Sequence, residues 1–295
     1  MTDTPPRWAI ILHGGAHQVP RGQEGASRAG CLVALNAGQQ ILDSGGSAVD
    51  AVEAAVRVLE DNPTFNAGYG SDLTADGEVE MCASIMDGNT LDVGAVSVLQ
   101  GARHPVSVAR LLLREEEILL AGPGARRFAA ERHAELCDPA ELIAPDKQPG
   151  QPSSDTVGCL ALDADGHLAV AVSTGGLEGQ RQGRVGDSPQ PGCGFYAEDG
   201  VGATALSGDG EQIARMMAAA RIMHQLPGVP PEQAVASAVQ DIRRRVDGQA
   251  GAIALTARGM IGWAHVSPHM PVAYQTAGQA PQVFLSKQEE ANDGR

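Results

Sequence analysis

Asp155-Thr156-Val157-Gly158 joins two stretches of opposite character. Upstream, residues 137–154 hold Pro139, Pro145, Pro149, Gly150 and Pro152, a density of breakers that predicts a flexible linker. Downstream, Val157–Leu162 is an unbroken apolar run, which predicts a buried strand. A threonine therefore sits where linker meets strand. If the peptide bond between Asp155 and Thr156 were cut, Thr156 would carry a hydroxyl nucleophile and a free α-amine on one residue. Such an amine can serve as the base that activates the hydroxyl.

Following the chain downstream, a turn at residues 163–166 leads to a second β-like run, 168–173, ended by Thr174-Gly175-Gly176. A long loop, 177–191, contains Gly183-Arg184-Val185-Gly186-Asp187-Ser188-Pro189. Another β-like run, 202–206, feeds Ser207-Gly208-Asp209-Gly210-Glu211. Apolar spacing then predicts one helix over 212–226 and another over Pro231–Val246, with proline at its first turn. Runs at 252–255 and 260–266 read as a hairpin, and residues 286–295 as a polar, mobile tail.

Upstream, residues 8–12 read as a buried strand ended by His13-Gly14-Gly15-Ala16. Leu32, Leu35, Ile41 and Leu42 predict a helix over 25–43, stopped by Gly45-Gly46. Ser47, with Asp50 three residues on, caps a second helix over 48–59. Its alanine-rich faces suit close packing on a sheet. Residues 62–70 form a turn-dense loop. Runs 79–86 and 93–99 flank the turn Asp87-Gly88-Asn89, and helices follow at 106–114 and 125–133. Strands and helices come in blocks, without strict βαβ alternation. That order predicts an α/β (α+β) fold of two stacked, mainly antiparallel sheets with helices outside.

The chain has 295 residues, 43% hydrophobic, enough for one large domain or two moderate ones. Its 21 basic and 36 acidic residues give a net charge of -15. That balance argues against nucleic acid and anionic membrane surfaces as partners. Five cysteines, none in CxxC spacing, indicate neither a zinc site nor a disulfide framework. The apolar run 8–12 is too short for a signal segment or a membrane span. The chain reads as cytoplasmic.

Arg184 and Asp187 could hold the carboxylate and ammonium ends of a free α-amino acid. They could equally form a local surface ion pair, and spacing alone favours the pair. Thr174 and Ser207 lie at strand ends beside glycines, as site hydroxyls or as turn residues. Ser207 with the Gly208 N–H would make a pair of oxyanion donors. The loop 62–70 could wrap a cation or close as a plain turn, and the turn is the simpler reading. No Gly-x-Ser-x-Gly elbow is present, which weakens an α/β-hydrolase reading.

Taken together, His13-Gly-Gly-Ala16, Asn66-Ala-Gly-Tyr-Gly70, Met86-Asp-Gly88, Asp155-Thr-Val-Gly158, Ser173-Thr-Gly-Gly176, Gly183-Arg-Val-Gly-Asp-Ser-Pro189 and Gly208-Asp-Gly-Glu211 resemble the plant-type asparaginase and isoaspartyl peptidase family of N-terminal-nucleophile hydrolases. The resemblance implies a four-layer αββα sandwich spanning 1–295 as one domain. It implies self-cleavage between Asp155 and Thr156 into an α subunit, 1–155, and a β subunit, 156–295, assembled as a dimer of αβ units. It makes Thr156 the nucleophile towards small-molecule substrates, β-aspartyl dipeptides and L-asparagine. Thr174 would bond the nucleophile and Asn66 would support it. Ser207, where the family usually has threonine, and Gly208 would form the oxyanion hole. Arg184 and Asp187 would hold the substrate's charged ends, helped by Gly210. No cofactor is implied for catalysis. A structural sodium ion would sit on backbone carbonyls of Leu59, Glu60, Asn62, Phe65, Ala67 and Tyr69. Competing readings are a glycosylasparaginase and an unprocessed amino-acid-binding protein.

Overall fold

The computed structural model describes residues 7–145 and 156–293. Asp155 and residues 146–154 of the expected linker lie outside the described residues. In chain order the elements begin with β1 (Ala9–His13), α1 (Glu24–Asp43), α2 (Ala48–Glu60), β2 (Met81–Asp87) and β3 (Val93–Leu99). Next come α3 (Pro105–Leu111), β4 (Leu119–Ala121), α4 (Gly122–Glu131), β5 (Val157–Leu162), β6 (Leu168–Thr174), β7 (Phe195–Glu198) and β8 (Gly202–Gly208). The rest are α5 (Gly210–Met216), α6 (Ala218–Gln225), α7 (Pro231–Val246), β9 (Ala250–Thr256), β10 (Ile261–His265), β11 (Val272–Thr276), β12 (Gln282–Phe284) and α8 (Lys287–Asp293).

An eight-stranded sheet runs β12-β11-β1-β5-β6-β2-β3-β4, and a four-stranded sheet runs β10-β9-β8-β7. Among the described residues the paired strands run antiparallel except β3 with β4. Strand alternation sorts the side chains into layers. Ile10 and Leu12 of β1, with Val157, Cys159 and Ala161 of β5, pack under α1 and α2 against Leu35, Val52 and Val56. Ile11, Leu160, Leu162, Val170 and Val172 face the other way, into an inter-sheet core with Phe195, Ala205, Ile253 and Trp263. Leu206, Ala252 and Ala254 on the far face of the small sheet pack against Ile222, Val235 and Ile242 of α6 and α7. The layer order is therefore helix, sheet, sheet, helix, as expected.

Several boundaries follow the sequence signals closely. The Ser47 hydroxyl accepts from the Asp50 N–H and caps α2, and α7 spans Pro231–Val246 as predicted. Other expectations need correction. The single helix over 212–226 is two, broken at Met217, which sits in the left-handed region at φ 46°. The first N–H groups of α6 bond the Cys193 and Gly192 carbonyls instead, so the break is held by a neighbouring loop that apolar spacing cannot register. Residues 137–145 are not linker-like either. Asp138 caps a short 3₁₀ turn, Pro139–Leu142, by a reciprocal capping box, and Leu142 is buried against Leu73, Val79 and Met81. The tail folds as α8, where Glu290 accepts from the Trp263 indole N–H at 3.0 Å and from the Tyr274 hydroxyl at 2.7 Å. Strands β4, β7, β11 and β12 carried no period strong enough to read. Among the described residues no helix is long and apolar enough to cross a membrane.

Candidate active site

Strand parity brings the candidate residues to one place. Leu160 and Leu162 of β5 face the inter-sheet core, so Thr156, two steps before Gly158, faces it too. The β5–β6 register pairs Val157 with Ser173, and its next step sets Thr156 opposite Thr174. Thr174 in turn pairs with Cys82 on β2. The three side chains form a row across the end of the large sheet. Ser207 shares the parity of Ala203 and Ala205, which face the same core from the small sheet.

A cleft opens over this row, lined by Thr156, Thr174, Cys82, Glu80, Gln180, Ser188, Arg184, Asp187, Gly208 and Gly210 among others. Thr156 is buried, and its hydroxyl lies 3.1 Å from the Ser188 hydroxyl. Ser188 is anchored in turn, because the Ser84 hydroxyl donates to its carbonyl at 2.9 Å. Thr174 Oγ1 accepts from the Gly176 N–H at 3.0 Å, so the hydroxyl nearest Thr156 by hydrogen bond is Ser188.

Asn66 and Ser207 do not line the cleft; both are buried behind it. Asn66 is buried, and its amide nitrogen donates to the Gly176 carbonyl at 2.7 Å and to Asp72 at 3.0 Å. Its Oδ1 accepts from the Asp72 N–H at 2.8 Å. Asn66 thus ties its loop to the segment after Thr174. Ser207 Oγ accepts from the Ala16 N–H at 2.9 Å, which fixes the His13-Gly-Gly-Ala16 turn against β8. Gly208 has φ 136°, and a Cβ there would lie 2.3 Å from the Gln249 carbonyl, so no side chain fits.

Electrostatics divide the cleft. Asp187 is buried, and burial pushes its carboxyl up to about 7, while its own backbone N–H and the Arg184 charge pull the other way. Its Oδ2 has no hydrogen-bond partner among the described residues. Arg184 does not pair with it. Arg184 Nε and Nη2 donate instead to the two Glu211 carboxylate oxygens at 2.8 and 2.7 Å. A Cβ on Gly210 would lie 2.8 Å from Asp187 Oδ1 and 3.1 Å from Arg184 Nη2. Glycine therefore keeps open the gap between a carboxylate and a guanidinium, where an α-amino acid fits by charge. Cys82 is pushed up to about 11 by burial and stays a thiol. His13, from the neighbouring strand, is fully buried and lowered to about 3, so its ring is neutral. Gly158 makes room for it, since a Cβ there would lie 2.6 Å from His13 Nε2.

Sequence reading named Thr156, Thr174, Arg184, Asp187, Ser207, Gly208 and Gly210 but passed over Ser188, Cys82, Glu80 and Glu211. Ser188 and Glu211 stood inside quoted motifs without an assigned role. Cys82 and Glu80 had no local signal, because the strand register alone brings them in.

Two mainly antiparallel sheets between helix layers, with a threonine at the inner-facing start of a strand, form the sandwich of the N-terminal-nucleophile hydrolases. A family model described as Asparaginase matches residues 6–150 and 139–285. A zebrafish (Danio rerio) protein named isoaspartyl peptidase/L-asparaginase is 38% identical over 287 residues, covering 92% of each chain. A rat (Rattus norvegicus) protein of the same name is 39% identical over 268 residues, 85% of this chain and 80% of its own. The human (Homo sapiens) one is 38% identical over 268 residues, 85% and 87%. The chain belongs to the asparaginase family.

Proposed function

We propose that the protein hydrolyses β-aspartyl dipeptides and the side-chain amide of L-asparagine, releasing aspartate. The observation that carries this reading is the gap at Gly210, flanked by Asp187 and Arg184, in the same cleft that Thr156 lines. An aspartyl group whose α-ammonium meets Asp187 and whose α-carboxylate meets Arg184 extends its β-carbonyl towards Thr156. The names of the relatives support the same substrates.

The chemistry follows in two stages. In maturation, Thr156 Oγ attacks the Asp155 carbonyl, the acyl group moves from nitrogen to oxygen, and water hydrolyses the ester to leave a free α-amine. In turnover, that amine, with a reference pKa of about 7.7–8.0, takes the hydroxyl proton as Oγ attacks the β-carbonyl. Ser188 orients the hydroxyl. Ser207 and the Gly208 N–H receive the developing oxyanion, and Thr174 holds the row in place. The leaving amine or ammonia departs with a proton, and water releases aspartate from the acyl ester. Asn66 acts through the loop it anchors.

A sodium ion would sit in the loop around Asn66, from Leu59 to Tyr69. Gly68 and Gly70 press on backbone oxygens, since added Cβ atoms would lie 2.4 Å from the Glu60 carbonyl and 2.0 Å from that of Phe65. Oxygen-only donors of this kind suit a hard cation. The carbonyls of Leu59, Glu60, Asn62, Phe65, Ala67 and Tyr69 would hold it, and it would stiffen the loop. The working form is a dimer of αβ units in the cytoplasm.

A mass spectrum of the purified protein tests maturation, with two fragments meeting between Asp155 and Thr156 expected. Aspartate release from β-aspartyl-leucine tests turnover, and Thr156→Ala should abolish both. An intact chain that releases no aspartate after long incubation overturns the reading.

A further inference from the structure

Arg184 is gripped from outside. Its side chain is 17% exposed, while that of Glu211 is 53% exposed. The grip uses the Nε–Nη2 edge in a parallel two-point geometry, the strongest arrangement available to a guanidinium. The glycines of the cleft pack on the rest of the guanidinium, Gly186 over its face and Gly210 beside Nη2. A Cβ on Gly186 would lie 3.2 Å from Nη1 and 3.1 Å from Nη2, and one on Gly210 3.1 Å from Nη2. Among the described residues no hydrogen bond reaches Nη1. The guanidinium is thus held at the cleft wall with its Nε–Nη2 edge satisfied and its Nη1 without a hydrogen bond among the described residues.

We infer that Glu211 is the positioning residue for substrate recognition: it clamps the outer edge of Arg184 so that the inner edge is pre-aimed at the substrate α-carboxylate. This rests on the reading of Arg184 as the carboxylate-holding residue. A long side chain free to sample many rotamers would lose that freedom on each binding event. Glu211 has it fixed beforehand, which favours binding. The clamp also decides what enters. A ligand with a neutral group at the α-position gains less from the guanidinium than a carboxylate does, so Glu211 tunes the preference for free α-carboxylates without touching the substrate.

The alternative geometry has the opposite sign. If substrate took the Nε–Nη2 edge, Glu211 would compete with it, and removing Glu211 would tighten binding. Kinetics on the mature protein separate the two. A β-aspartyl anilide with a free α-carboxylate is compared with the same anilide carrying an α-carboxamide, for unaltered protein, Glu211→Gln, Glu211→Ala and Glu211→Asp. For the free acid, KM should rise about tenfold in Glu211→Ala, or ~1.4 kcal/mol, with kcat falling by less than that factor. Glu211→Gln should fall between, and Glu211→Asp should recover part of the loss. KM for the carboxamide should stay unchanged, so the preference for the acid narrows. A lower KM for the acid, or equal losses on both substrates, overturns the inference. Aspartate affinity by calorimetry carries the same comparison without turnover. A failure of hydrolysis in the unaltered protein therefore sinks the proposed function alone, while an unchanged aspartate affinity across the variants sinks the clamp.

Discussion

At the scale of single residues, Asp187 shows how burial reshapes a binding group. Burial lifts its carboxyl from an ordinary 3.8 to about 7, so near neutral pH the empty site holds it only partly ionised. The folded protein keeps this proton more tightly than the unfolded chain does. The stability linked to it is therefore present at low pH and is lost as pH rises through about 7. An arriving ammonium reverses the preference by stabilising the carboxylate. KM for a β-aspartyl substrate should accordingly fall as pH rises through about 7, and Asp187→Asn should raise KM and flatten its profile. Initial rates measured across that range check this, and a pH-independent KM in the unaltered protein counts against it. Arg184 and Asp187 also show where spacing misleads. Three residues apart in a glycine loop, they read best as a surface pair, yet Asp187 is buried and Arg184 bonds a residue 27 positions away. Nothing in the loop's own sequence carries that partner.

At the scale of elements, legibility tracked how local the forces are. The Ser47 cap, the Pro231 start of α7 and the buried run of β5 depend on neighbours in sequence and were readable. The break at Met217 and the folding of α8 depend on contacts made elsewhere. Helix α8 has no buried residue, yet Lys287 lies over the Trp263 ring, 4.7 Å from its centroid, and bonds Glu290. Glu290 meanwhile satisfies both Trp263 and Tyr274. Trp263 is 1% exposed, so its N–H has little water to turn to. Removing Glu290 leaves a buried donor unpaired, which costs about 1–3 kcal/mol. Glu290→Ala should lower stability by that amount in urea unfolding, and Glu290→Gln, which keeps an acceptor, by less. Equal losses in the two variants would mean that charge, not the hydrogen bond, holds the helix.

At the scale of the whole molecule, the four-layer order was legible from blocks of strands and helices, while the strand order was not. Pairing β11 with β1 joins residues more than 250 positions apart, and no local pattern encodes it. In the large sheet, β1 lies between β11 and β5, and β6 lies beside β2. Strands from before and after Thr156 therefore interleave in one hydrogen-bonded surface, with β1 enclosed between β11 and β5. Cleavage before Thr156 should leave the pieces inseparable in native buffer. They should co-elute in size exclusion at any dilution and part only in denaturant. Separate elution of the two pieces without denaturant would contradict that arrangement.

If the chain is cut before Thr156 as proposed, the same interleaving gives the protein a direction in time. While the chain is continuous, finding the native sheet is an intramolecular search. Once cut, β1 and β5 would have to meet as separate molecules, at their actual dilution rather than at a tether's effective concentration. The uncut chain should therefore refold readily, whereas the mature protein, once unfolded, should recover slowly and in proportion to its concentration. Its working lifetime is then set by how rarely it opens. Under the proposed maturation the continuous chain is a template used once: the scission that would arm the nucleophile would also discard the means of folding again.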